Sequence, residues 1–204
     1  MGTKGQKTRE QVLATAERLI LQRGYSGTSI EDIIGEAGIT KGGFFYHFHG
    51  KRDLAKNLML RYLQQDEIFF NGLFDRAKDL TEDPLQQLLV FLKLMAEAMG
   101  DLPGTHPGCL VASFTYEAQQ FDDEMRELNA QGVLSWRRLF MAQLTKIAEK
   151  YPLKIEQPLE QLADMLTSVI EGGIVMSKVL DDRHILPNQL LQYRNHIRLV
   201  FGDV

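Results

Sequence analysis

The chain has 204 residues, 44% of them apolar and 25% charged, a composition that can fill a hydrophobic core and excludes a disordered or fibrous protein. Its N-terminal residues, MGTKGQKTREQ, have no apolar core, and its longest apolar stretch is interrupted by Lys93 and Glu97. We therefore expect no signal peptide, no membrane span and a cytoplasmic location. A single cysteine excludes an intramolecular disulfide and suits a reducing compartment.

The net charge of −4 is distributed unevenly along the chain. Residues 1–56 contain nine basic and six acidic residues, so this part carries +3 and the remainder −7. Positive charge gathered at one end favours contact with phosphates there, and an acidic remainder discourages non-specific binding to nucleic acid.

Nearly every segment has the apolar period of a helix and almost none alternates like a strand, which predicts an all-α fold of about nine helices. The first predicted helix covers residues 8–22 and ends at Gly24. Thr28 and Ser29 are good N-caps for the second, with Asp32 completing an approximate capping box. Gly38 permits a tight turn, and Thr40 caps the third helix. The later helices are predicted at residues 51–78, 84–100, 108–120, 122–150, 156–181 and 187–201.

Two short helices joined by a tight turn are typical of a helix-turn-helix DNA-binding unit, which we place in residues 1–55. A plain three-helix bundle is the alternative, but it would not place two glycines in the first turn of the third helix, where each costs up to ~1 kcal/mol relative to alanine. Glycines there suit close approach of the backbone to DNA. The residues predicted to bind DNA are Thr28, Ser29, Thr40, Lys41, Gly42, Gly43, Tyr46, His47 and Lys51.

The segment GITKGGFFYHFHGKRDL, residues 38–54, resembles the signature G-[VI]-[ST]-K-G-x-[LF]-Y-x-[HY]-F-x-x-K-x-x-L of the TetR family of bacterial transcriptional regulators. The resemblance covers roughly residues 8–60. Phe45 stands where the family often has tyrosine, and Gly43 stands where it commonly has a base-contacting side chain. We therefore expect specificity to depend on Thr40, Lys41, Tyr46 and DNA shape. Phe44 and Phe48 are predicted to be core residues.

The resemblance implies that residues 56–204 form a helical effector-binding and dimerisation domain. The protein would be a repressor, released from a pseudo-palindromic double-stranded operator by a small, largely apolar effector. It would act as a homodimer, without enzymatic activity, cofactor or bound metal. The sequence itself shows no HExxH motif, no Gly-rich phosphate loop after a strand and no nucleophile–base pair that would support an enzyme.

An interior rich in aromatic residues and methionine is compatible with an apolar ligand cavity or, equally, with a close-packed core. The residues predicted to line such a cavity are Phe70, Phe74, Met95, Met99, Cys109, Phe114, Trp136, Met141 and Met176. Small residues in segment 159–180 permit close helix approach, so this helix and the last one are predicted to form the dimer interface. The alternative is an ordinary buried helix inside a monomer. The last helix would contribute Leu190, Leu191, Tyr193, Ile197, Val200 and Phe201.

Cys109 supports an alternative function, a thiol-based redox or electrophile-sensing repressor. It should lie in the first turn of a helix, a position that lowers a thiol pKa and favours the reactive thiolate. A small buried cysteine without chemical function is the competing interpretation. His106 lies three residues before it, but two ligands do not complete a metal site.

Overall fold

The computed structural model describes residues 4–202, so the ends of the two predicted domains and the first three residues of the polar N-terminal segment lie outside it. This described part contains nine α-helices and no strand, which confirms the predicted all-α class. The helices are α1 (Lys4–Arg23), α2 (Ile30–Ala37), α3 (Lys41–His47), α4 (Lys51–Leu80), α5 (Pro84–Gly100), α6 (Leu110–Tyr116), α7 (Asp123–Lys150), α8 (Leu159–Leu180) and α9 (Ile185–Phe201).

Helix α1 begins four residues before its predicted start and α8 three residues after, and the differences at α6 and α9 have identifiable reasons. The helix predicted over residues 108–120 is limited to α6, followed by a short 3-10 turn at Ala118–Gln120, because the backbone at Glu117 leaves helical geometry (φ −113°, ψ 27°). Helix α9 begins before Pro187 and contains it in its first turn, where no intrahelical N–H donor is needed.

The contacts divide the chain into two compact units. The N-terminal unit comprises the residues up to Asp66 together with Pro107–Gly132, and the C-terminal unit comprises Glu67–His106 and the residues from Val133 onward. The predicted domain 56–204 includes residues 107–132. By its contacts this segment instead groups with the N-terminal residues. A boundary at residue 55 therefore separates the two predicted roles but not the two compact units.

The core of the C-terminal unit is built on α9, which packs against both α5 and α8. The ring of Phe74 stacks on Phe91 with centroids 3.9 Å apart, and Phe70 meets Phe140 edge-on at 5.6 Å. Phe70, Phe74 and Met95 are almost completely buried. Ligand contact by these three residues stays a prediction. The two phenylalanines are part of a close-packed aromatic core.

The apolar residues of α9 that were predicted to form a dimer interface are buried within their own subunit, so that prediction was wrong for them. Helix α9 turns this face toward α5 and α8, which leaves it unavailable to a second copy. The buried residues are Leu190, Tyr193, Ile197, Val200 and Phe201, whereas Leu191 is half-buried.

Helix α8 has an exposed apolar stripe on one face. Met165, Val175, Met176 and Val179 are all exposed, and they recur at spacings that place them on one side of a helix. Gly172 lies in the same stripe, and a Cβ added there would meet no atom within 4 Å. The packing of the subunit therefore does not explain a glycine at this position. No helix in residues 4–202 is both long and apolar enough to cross a membrane.

Candidate nucleic-acid interface

The turn between α2 and α3 is specified by local hydrogen bonds, as its sequence predicts. Ser29 caps α2: its hydroxyl accepts the Asp32 N–H at 3.0 Å, and the Asp32 carboxylate accepts the Ser29 N–H at 2.8 Å. Gly38 ends the helix in the left-handed region (φ 63°), where glycine has no Cβ penalty. Thr40 then caps α3, its hydroxyl accepting the Gly43 N–H at 3.1 Å. The helix-turn-helix is therefore largely encoded by neighbouring residues.

Helix α3 is anchored by one face and exposed on the other. Phe44 and Phe48 are buried with ring centroids 5.6 Å apart, which confirms their predicted core role. Phe45 is 44% exposed and Tyr46 is 82% exposed. Lys41 and Gly42, one turn earlier, are exposed as well. Since residues four apart share a helix face, Lys41 with Phe45 and Gly42 with Tyr46 form one continuous surface.

Polar and charged side chains connect α1 to both α4 and α2. The Arg61 guanidinium donates to Glu10 at 2.6 Å and to Glu17 at 2.5 Å, which connects α4 to α1. The Gln11 amide donates to the Ala37 carbonyl at the end of α2, and Arg18 pairs with a glutamate of α2 at 2.7 Å. Of the basic residues that make residues 1–56 positive, Arg18 is thus paired within the unit.

Three predicted DNA-binding residues of α3, Lys41, Gly42 and Tyr46, lie on its exposed surface. Lys41 has 72% of its side chain exposed, and its nearest carboxylate, that of Glu31, is 4.0 Å away and equally exposed. A surface pair at this distance contributes little, so the ammonium group remains free to meet a phosphate. A Cβ added at Gly42 would meet nothing within 4 Å, whereas one at Gly43 would lie 3.3 Å from the Thr40 hydroxyl. Gly42 is therefore the glycine that the fold itself does not require.

Three predicted DNA contacts are placed differently by the structure. The Thr28 side chain is completely buried and its hydroxyl donates to the Gly24 carbonyl at 2.9 Å, so it cannot reach a phosphate. The Ser29 hydroxyl is exposed but both accepts from and donates to Asp32 in the capping box. The half-buried Lys51 donates to the Tyr25 carbonyl at 2.5 Å, and burial lowers its pKa. The remaining predicted contact, His47, is half-buried, with its ring 4.9 Å from that of Tyr46.

Two exposed side chains, one in α3 and one at the start of α4, were not among the predicted contacts. Arg52 is exposed next to the inward-directed Lys51. The adjacent pair of basic residues at the start of α4 was a usable signal, but the sequence does not show which of the two faces outward. Phe45 is 44% exposed, which offers an apolar contact for a thymine methyl group.

The residues predicted to contact an effector are divided between the two units. Cys109 and Phe114 belong to the N-terminal unit; Phe114 is buried there against the rings of Tyr25 and Phe121, which corrects its assignment to an effector domain. Cys109 precedes α6 and is half-buried, with its side chain hydrogen-bonded to the Tyr62 hydroxyl. The others lie in the C-terminal unit, where Met99, Trp136 and Met141 are half-buried and Met176 is exposed.

Within residues 4–202 no group of three or more His, Cys, Asp or Glu residues is arranged to hold a metal ion.

The sequence matches two parts of one regulator family. Residues 12–58 match the bacterial regulatory proteins of the tetR family, and residues 84–189 match the tetracyclin repressor-like C-terminal domain. The uncharacterized HTH-type transcriptional regulator YxaF of Bacillus subtilis is 27% identical over 177 residues, which cover 86% of this chain and 87% of YxaF. The HTH-type transcriptional repressor NemR of Escherichia coli is 25% identical over 191 residues, covering 93% and 94% of the two chains.

Solved structures share the fold. A TetR-family regulator from Agrobacterium tumefaciens superposes with a TM-score of 0.80 at 22% identity, covering 98% of this chain and 100% of that one. The reduced form of E. coli NemR gives a TM-score of 0.76 at 23% identity, covering 97% and 100%.

Fold and site together define a helical DNA-binding protein with an N-terminal helix-turn-helix. The C-terminal match by itself spans more than half of the chain. The chain belongs to the tetR family of bacterial regulatory proteins and is a transcriptional regulator.

Proposed function

We propose that this regulator is a repressor that binds a pseudo-palindromic operator as a homodimer and leaves it when a small, largely apolar effector binds. The observation that carries the DNA-binding part is the exposed surface of α3, on which Lys41, Gly42 and Tyr46 lie opposite the buried anchors Phe44 and Phe48. A helix fixed on one face and free on the other is suited to enter a major groove.

Each exposed residue of α3 has a distinct proposed role. Lys41 contacts a backbone phosphate, and the Tyr46 hydroxyl donates to a phosphate or a base edge. Gly42 allows the helix backbone to approach the DNA closely. Phe45 supplies an apolar contact. The Thr40 hydroxyl oxygen accepts the Gly43 N–H, and its O–H proton can still donate to a phosphate.

The repressor and effector parts rest on similarity. NemR is named a repressor, and the matching C-terminal domain is described as tetracyclin repressor-like. An effector releases DNA only if it binds better to a conformation that does not fit the operator, so its affinity must differ between the two states. By reciprocity, operator DNA would weaken effector binding by the same factor.

The decisive experiment is footprinting on the promoter of the protein's own gene, with and without a panel of small apolar compounds. A protected palindrome that one compound abolishes is the expected result. Protection that no compound alters would refute effector control but leave DNA binding intact. If no site at the promoter is protected, the protein does not regulate its own gene. If selection from random duplexes also yields no preferred sequence, sequence-specific binding is refuted.

Replacement of Lys41 by alanine is expected to weaken binding about equally on operator and unrelated DNA. A lost phosphate contact should reduce the slope of log affinity against log salt by about 1. Titration of labelled duplexes at several salt concentrations measures both quantities. Lys146→Ala, which removes an exposed lysine of α7, is the matched control and should leave the slope unchanged. An unchanged slope in Lys41→Ala would remove this residue from the interface.

A second candidate function is release of DNA by modification of the Cys109 thiol. It is favoured by the half-buried position of Cys109 beside the first turn of α6 and by the similarity to NemR, whose solved structure is described as a reduced form. Its hydrogen bond to the buried Tyr62 hydroxyl, whose pKa burial raises, argues for a packing role instead. If thiol chemistry is the signal, Cys109→Ser should stay on DNA in the presence of an oxidant or electrophile that releases the wild type. If the variant is still released by the same compound, the thiol is not the sensor.

A further inference from the structure

The loop between α1 and α2 is held by a carboxylate from a distant part of the chain. Glu117, at the end of α6, accepts the Tyr25 N–H with one oxygen at 2.6 Å and the Ser26 N–H with the other at 2.8 Å. Two successive backbone donors thus bind one carboxylate, an arrangement in which charge strengthens both hydrogen bonds. Burial would raise the pKa of Glu117, but the bonds from Ser26 and Tyr25 and the nearby Lys51 hold it below its ordinary value. The carboxylate is therefore charged at neutral pH.

The loop is shaped to admit this carboxylate. Gly24 has a φ of +78°, which a side chain would disfavour, and a Cβ there would lie only 2.8 Å from a Glu117 carboxylate oxygen. The Thr28 hydroxyl closes the loop by donating to the Gly24 carbonyl, and Ser29 begins the capping box of α2 directly afterwards. Ser29, where the helix-turn-helix begins, follows Ser26 by only three residues, so the contact with Glu117 constrains the start of α2.

Tyr25 extends the same contact to the other end of the helix-turn-helix. Its carbonyl accepts the Lys51 ammonium, which also lies 4.2 Å from the centre of the Tyr25 ring. Lys51 is the first residue of α4 and follows the end of α3 by only a few residues. The Tyr25 ring packs on Phe114 and Phe121, which flank Glu117 in sequence. The start of α2 and the exit from α3 are therefore both attached to the segment around Glu117.

That segment is itself fixed in the N-terminal unit. The Tyr62 hydroxyl hydrogen-bonds to the Cys109 side chain and the Leu110 amide at the start of α6. The Asn129 amide of α7 donates to the Val111 carbonyl at 3.1 Å and the Thr115 hydroxyl at 2.8 Å. Glu117 thus extends from a held helix rather than from a free loop.

We propose that Glu117 is a positioning residue for DNA recognition: its carboxylate holds the α1–α2 loop, and through Tyr25 and Lys51 it fixes the orientation in which α3 is presented. The inference rests on DNA binding by α3 as proposed above. Without the carboxylate, the part-buried Tyr25 N–H and the exposed Ser26 N–H lose their acceptor, and the helix pair samples more orientations. Apparent operator affinity then decreases in proportion to the fraction of molecules that are in the competent orientation.

The test compares Glu117→Gln with Glu127→Gln, a control that removes the same charge from an exposed position of α7 in the same unit. Simple electrostatics would make both variants bind DNA more tightly, because each removes a negative charge. Our inference requires the opposite for Glu117→Gln: operator affinity should fall on the order of tenfold, which corresponds to the loss of one charge-assisted interaction. Affinity for unrelated DNA should not fall. Amide hydrogen exchange at Tyr25 and Ser26 should accelerate only in this variant.

Operator binding by Glu117→Gln equal to or tighter than that of the wild type would overturn the inference while leaving the proposed function intact. A wild-type chain that binds no operator sequence would refute the proposed function, and the inference with it. Glu117→Asp serves if the glutamine variant does not fold. It keeps the charge, but its shorter side chain cannot span both amides, so a several-fold loss of operator affinity is expected and full affinity would refute the positioning role.

Discussion

The double substitution Val175→Asp and Val179→Asp, on the exposed face of α8, is expected to make the protein monomeric. Operator affinity should then fall by about a hundredfold or more. Both valines are exposed, at 45% and 76%, so the subunit should fold normally. If this face meets the same face of a second copy, the substitutions bury four carboxylates without partners, which is strongly unfavourable. A monomer then loses the second half-site, and with it the gain from binding two sites at once.

Light scattering with size-exclusion chromatography measures the mass, and operator titration measures the affinity. Leu60→Asp with Ile68→Asp is the matched control, since it makes the same change at two apolar residues of α4 that are 48% and 65% exposed. The control should remain dimeric. A dimer that persists in the α8 variant would move the interface elsewhere and leave the exposed stripe and Gly172 without this explanation.

The second large effect is expected from Phe44→Ala, which should lower the free energy of unfolding by about 3–5 kcal/mol and abolish specific operator binding. Helix α3 has seven residues, too few to be stable without tertiary contacts. Phe44 is its fully buried anchor and contacts the Phe48 ring. Removing the ring leaves a cavity beneath the helix and releases the surface that carries Lys41 and Tyr46.

Phe45→Ala removes the same side chain one residue along the helix, where the ring is 44% exposed. Its unfolding free energy should change by no more than about 1 kcal/mol, because less apolar area leaves contact with the protein. Operator affinity should fall moderately if Phe45 meets the DNA. Urea denaturation and footprinting distinguish the two variants. Equal stability of Phe44→Ala and the wild type would contradict the role given to Phe44 as anchor.

Features of the helix-turn-helix that depend on neighbouring residues were predictable. The capping box of Ser29 and Asp32, the left-handed turn at Gly38 and the Thr40 cap each involve groups within a few residues of one another. The apolar period likewise predicted that Phe44 and Phe48 face inward. Such features follow from local hydrogen bonding and helical geometry, which do not change with the rest of the fold.

Other features depended on partners far away in the chain. Thr28 and Lys51 suited phosphate contact by residue type, but Thr28 is buried and Lys51 is held by Tyr25, 26 residues before it. Residues 107–132 carry no signal that they pack with the N-terminal unit. Glu117 is 92 residues from Tyr25, and no pattern indicates that its carboxylate would bind that loop.

The sequence alone determined that this is an all-helical protein with an N-terminal helix-turn-helix, because helical period, caps and turn glycines act over a few residues. The tertiary structure decided which of the basic and apolar residues remain at the surface. On α9 the period identified an apolar face, and packing directed that face toward α5 and α8 while leaving the stripe of α8 exposed. Periodicity reports that a face must be buried; only the folded chain supplies the surface that buries it.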